Sequence, residues 1–133
     1  MSDESLRFST LTEVASRIEA KQVSPVEVTR AMLDLIDKHD RRYKSYATVM
    51  ADRAMIQAQA AEEEIAAGRY RGPLHGVPIA LKDLDATKGL RTTHGSLLMR
   101  DHVPDFDEIA VERIRASGAI IVGKTNTPDF GWK

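Results

Sequence analysis

The chain has 133 residues, 42% hydrophobic and 29% charged, a balance that fits one soluble globular domain and argues against disorder. A net charge of −1 gives no electrostatic basis for binding nucleic acid or an anionic membrane surface. Without cysteine there are no disulfides or thiolate metal sites, and no apolar run reaches the roughly 18 residues of a spanning helix; a cytoplasmic location is expected.

The acidic start, Met1-Ser2-Asp3-Glu4, is unlike a signal peptide, and residues 1–9 read as frayed. Thr10-Leu11-Thr12-Glu13 is a capping box, and Leu11, Val14, Ala15 and Ile18 behind it fall at helical spacing, giving a helix to about residue 21. Ser24-Pro25-Val26-Glu27 starts a second helix with an N-cap, a proline at the first helical position and a capping glutamate. Its apolar stripe is Val28, Met32, Leu35 and Ile36, running to about residue 39. Residues 40–44 form a charged connector, and Tyr46 to Val49 suits a short turn or strand. A third helix is expected over residues 51–67, rich in good helix formers, with Gly68 at its left-handed cap. Its Glu62-Glu63-Glu64 run reads as a solvated face.

Residues 72–84, Gly-Pro-Leu-His-Gly-Val-Pro-Ile-Ala-Leu-Lys-Asp-Leu, organise the rest of the chain. The apolar run Val77 to Leu81 lies between a Gly/Pro cluster and the pair Lys82-Asp83, and reads as a short buried strand ending on Lys82. Proline near its start is tolerated. A long connection, residues 85–105, contains Gly89, Gly95 and Pro104 and almost no periodicity; loops of such length are usually functional or disordered. Asp107 suits an N-cap for a helix to about residue 116, with Ile109, Ala110 and Ile114 inward and Gly118 closing it. Ala119 to Val122 is then a second apolar strand. Strand, helix and strand make a βαβ unit with parallel strands. Two parallel strands leave two open edges, which nothing else in the sequence clearly covers; completion by polypeptide beyond these residues, or by another chain, is expected.

In an open α/β sheet, ligands and catalytic groups gather beyond the carboxyl ends of the strands, where Lys82 falls. A lysine works as a base only when its amine is neutral, and desolvation favours that form. Position alone serves equally for a solvated lysine capping the strand. Gly118 to Thr125 matches G-x-x-x-x-G-K-T, the phosphate-binding loop pattern, but its middle residues are the apolar strand itself, and Pro128 interrupts any helix after Lys124. Lys124 is expected as a second strand-end residue near the site, with Thr125 and Asn126 in the loop. The histidines (His39, His75, His94 and His102) lack ligand-pair spacing, so no metal site is expected, and Ser96 has no legible base beside it.

Residues 72–84, then Gly89-Leu90-Arg91-Thr92-Thr93, Gly95-Ser96 and the stretch from Gly118 to Phe130, resemble in this order the amidase signature family. The resemblance implies an α/β fold in which amino-terminal helices precede a βαβ unit, part of a larger α/β/α sandwich with a mixed sheet. Residues 1–133 are then the amino-terminal part of one incomplete amidase-like domain, with 1–70 a helical lead-in and 71–133 the start of the α/β core. It implies hydrolysis of a carboxylic amide through an acyl-enzyme by a Ser–cis-Ser–Lys triad, with Lys82 in the lysine's place. The two serines of that family lie in a Gly/Ser-rich segment of a kind not found before Lys133, so the chain alone is expected to be inactive. The implied partner is a small-molecule amide, with no metal or organic cofactor; an oligomer stays open. Two alternatives stand beside this: the amidase subunit of a tRNA-dependent amidotransferase, and a non-catalytic fragment that folds only with a partner.

Overall fold

The computed structural model describes residues 6–132. Helix α1 (Leu11–Glu19) and helix α2 (Pro25–Tyr43) both begin in complete capping boxes: Thr10 and Ser24 accept from the amides of Glu13 and Glu27, whose carboxylates accept from the two cap amides. The frayed start predicted over residues 1–9 falls outside the described residues for 1–5; Leu6 is buried with Val14, Ile18 and Val28. Helix α2 continues through the expected connector to Tyr43. It stops at left-handed Lys44, and the Asp40 carboxylate accepts from the amides of Ser45 and Tyr46.

Strand β1 (Tyr46–Val49) leads into helix α3 (Ala51–Ala66), whose buried face is Ala54, Ala58, Ala61 and Ile65. The small side chains let α3 lie close to the sheet, where Ala54 and Ala58 meet Ile120 and Val122. Strand β2 (Pro78–Lys82), helix α4 (Ile109–Ala116) and strand β3 (Ile120–Thr125) form the expected βαβ unit, with β2 and β3 parallel.

The sheet differs from expectation at one edge. Its order is β1-β3-β2, with β1 antiparallel to β3, so the sheet is mixed and β3 is its central strand. The short Tyr46–Val49 segment thus covers one of the two edges thought open. Alternate residues of β3 face opposite layers: Ile120 and Val122 pack on the α2/α3 side, while Ile121 packs with Leu81, Leu90 and Val111 on the α4 side. Helices on both faces give the α/β sandwich layering that two-sided burial of a parallel pair demands.

Helix α4 also starts differently. Its N-cap is Glu108 without a side-chain bond, because the Asp107 carboxylate instead accepts from the Lys88 amide at 2.6 Å and pairs with Arg115. Val111, 1% exposed, points inward with the expected Ile114 partly buried beside it, while Ile109, 69% exposed, and Ala110 face out. The first residue of a short helix does not fix its rotation, and packing against Leu81 and Ile121 does.

Candidate active site

Lys82 is the last residue of β2, opposite Thr125 of β3, and its side chain is exposed among the described residues. Its backbone is tightly held. The Lys82 amide donates to Asp85 Oδ2 at 3.1 Å, and its carbonyl accepts from the Asp85 amide at 3.0 Å. Asp83 is 1% exposed. Its amide donates to the Thr125 carbonyl, its carbonyl accepts from the His94 amide, and its carboxylate accepts from both the amide and the hydroxyl of Thr93. The turn after β2 is therefore tied to β3 on one side and to residues 93–94 on the other.

The long connection is far from structureless. Gly89 donates to Pro104, Thr92 to His102 and Lys88 to Asp107, which folds the segment back on itself. Gly95 has φ of +70°, and a Cβ there would lie 2.5 Å from the Thr127 carbonyl, so only glycine lets the loop after β2 touch the loop after β3. His94, also at positive φ, stacks on Phe130 with ring centroids 5.8 Å apart. These two loops wall the carboxyl end of the sheet beside Lys82.

Lys124 is placed differently from the sequence expectation. Instead of ending a strand beside the site, it lies wholly buried beneath the β2 loop. Its Nζ donates to the Asp85 carbonyl, to Thr87 Oγ1 at 2.8 Å and to Thr92 Oγ1 at 3.2 Å. Burial lowers its pKa, opposed by the negative charges of Asp83 and Asp85 and, beyond them, Glu108 and Asp107. A register shift opposite Ile79 and Ala80 gives β3 an extra residue there, which turns Lys124 to the same face as Ile121. That irregularity is invisible in a lone sequence. Gly123 sits beside it because a Cβ would meet the Thr48 carbonyl at 2.4 Å.

The phosphate-loop look-alike resolves along the same strand: Gly118 is the left-handed residue closing α4, and the four residues after it lead into and form β3. No cluster of metal-binding side chains occurs among the described residues. Glu64, expected on a solvated face, instead accepts a bidentate bond from Arg71 and lies 3.2 Å from His75 Nε2. His75 is 1% exposed, and its Nδ1 accepts from the Arg71 amide. A cleft of about 250 Å³ opens there, but it lies at the amino-terminal ends of β2 and β3, the wrong end for a ligand of an open sheet.

The fold is that of an α/β protein with a lysine at the carboxyl end of one of its parallel strands, the end at which open α/β sheets hold their ligands. A family profile described as Amidase matches residues 27–133, and the chain belongs to that family. It is 47% identical over 121 residues to a glutamyl-tRNA(Gln) amidotransferase subunit of Geobacter sp. (strain M21), covering 91% of this chain and 25% of that protein. It is 46% identical over 114 residues to the putative amidase AmiD of Mycobacterium bovis, covering 86% of this chain and 24% of the relative. Among solved structures, the native peptide amidase of Stenotrophomonas maltophilia superposes with a TM-score of 0.86 at 32% identity, over 92% of this chain and 26% of that one. The chain thus spans about a quarter of the length of the curated relatives it matches. No helix among the described residues is long and apolar enough to cross a membrane.

Proposed function

We propose that these residues are the amino-terminal quarter of an amidase and that Lys82 is its general base. The observation that carries the reading is the anchored turn at Lys82, which presents one lysine at the carboxyl end of β2 in a chain matching the amidase family over residues 27–133. A serine from the remaining polypeptide attacks the amide carbonyl. A second serine, in a cis peptide, passes that hydroxyl's proton to the neutral Lys82 amine. The tetrahedral intermediate collapses as Lys82 returns the proton to the departing nitrogen, leaving an acyl-enzyme; water, activated the same way, releases the acid. Desolvation of Lys82 falls, on this reading, to polypeptide beyond these residues. In the full-length protein, Lys82→Ala should lower kcat/KM for an amide by about 10²- to 10⁴-fold with unchanged circular dichroism. A loss below about tenfold would remove Lys82 from the mechanism.

The 47% identity to an amidotransferase subunit favours a second reading, in which the same site releases ammonia from glutamine for a partner enzyme. Glutaminase activity that rises when a partner subunit is added would favour it over a free-standing amidase.

A further inference from the structure

Successive residues of β2 turn their backbone groups to opposite sides of the strand. The Val77 carbonyl accepts from the Ile120 amide at 2.9 Å, and the Asp83 amide donates to the Thr125 carbonyl at 2.9 Å. The odd-numbered residues therefore face β3. Pro78, Ala80 and Lys82 face the outer edge, which has no strand partner among the described residues. Proline has no N–H, so Ala80 and Lys82 are the donors on that edge. One residue satisfies both outward groups of Lys82. The Asp85 amide donates to the Lys82 carbonyl at 3.0 Å, closing a turn, and Asp85 Oδ2 accepts from the Lys82 amide at 3.1 Å. Asp85 is held in its turn, its carbonyl accepting from the buried Lys124. The Lys82 side chain is exposed, and its four-carbon stem is flexible. The main chain therefore sets the point from which the amine reaches.

We propose that Asp85 is a positioning residue for Lys82: by holding both outward backbone groups of that lysine, it fixes the main chain from which the amine meets its proton donor. The ladder to β3 holds the next residue, Asp83, and leaves the outward side of Lys82 to Asp85 alone among the described residues. Asp85 acts here through hydrogen-bond geometry at the backbone, and its charge has no part in the role. The proposal rests on the general-base reading of Lys82.

The test is steady-state kinetics of the full-length enzyme on an amide. Asp85→Ala removes the acceptor of the Lys82 amide and leaves the backbone groups of residue 85. It should lower kcat by about 10- to 100-fold with KM nearly unchanged, the scale of a misplacement of about 1 Å. Asp85→Asn keeps an acceptor oxygen without the charge and should recover most of that loss. A folded Asp85→Ala enzyme with parental kcat overturns the proposal. So does an Asp85→Asn enzyme as slow as Asp85→Ala, which would make charge the cause. The double variant separates a merely structural role. Added to Lys82→Ala, Asp85→Ala should leave the residual rate unchanged, because it acts only through Lys82; a further loss of about tenfold overturns the proposal. Should Asp85→Ala fail to fold, Asp85→Asn is read together with amide exchange at Lys82. Near-parental kcat with a protected amide then supports the proposal; an amide exchanging as fast as an open loop, or a lost kcat with the amide protected, overturns it. If Lys82→Ala costs less than about tenfold, the general-base reading falls and takes this proposal with it. If Lys82→Ala shows its full loss while Asp85→Ala leaves kcat parental, only this proposal falls.

Discussion

Single residues here act through geometry that neighbouring letters do not announce. Gly123 has an ordinary negative-φ strand backbone, yet β1 passes so close that a Cβ would strike the Thr48 carbonyl. That obstacle is backbone, which a rotamer change cannot relieve, so Gly123→Ala should cost about 1–3 kcal/mol in urea unfolding. A cost below about 0.5 kcal/mol would mean that β1 does not sit against β3 as described. His75 offers a titration. Burial lowers its pKa, with the Glu64 carboxylate opposing and Arg71 adding to the lowering. The unfolded chain then binds the proton more readily than the folded one. Stability is fully present above the unfolded value of about 6.5 and is lost as pH falls through the lower folded value. Unfolding free energy measured from pH 7.5 to 5 should decline in this chain, and His75→Gln should remove part of that slope.

Among the elements, the two amino-terminal helices are set by their caps. In each, a serine or threonine hydroxyl and a glutamate satisfy two amides that would otherwise lack partners. Ser24→Ala should destabilise the chain by about 1 kcal/mol, and Ser24→Thr should recover most of it, as read by thermal unfolding. The loop after β2 behaves as an element of its own. It has little helix or strand, but Asp83, Thr92, Thr93 and Lys124 tie it internally and to β3. Its rigidity comes from side chains meeting across long stretches of sequence.

Across the molecule, the outer edge of β2 has no strand partner among the described residues. Leu97, Leu98 and Trp132 are 88%, 90% and 82% exposed. Apolar exposure of this kind fits a chain spanning a quarter of its relatives. The purified 133-residue chain should show no turnover of a simple aryl amide, because its sequence holds no Gly/Ser-rich segment of the kind that would supply the two serines. Turnover that disappears in the Lys82→Ala chain would refute this. Amide exchange should be slow in β3, flanked on both sides, and faster along the outer edge of β2.

The local elements and the place of Lys82 were legible in the order of the amino acids. Capping boxes, the period of apolar residues and the Gly/Pro borders of residues 72–84 are all interactions between near neighbours, which a string of letters displays directly. The parallel pairing of β2 and β3 followed from the helix between them. Folding in three dimensions was needed to pair Tyr46–Val49 with β3, to turn Val111 inward, and to bring Glu64 to Arg71 and His75. It was needed equally to bury Lys124 under the loop. Each of these depends on residues far apart in the chain, and Lys124 on one extra residue in β3 that reverses which face a side chain takes. Periodicity records the faces of an unbroken strand, and it cannot record a shift that exists only once a partner strand is in place.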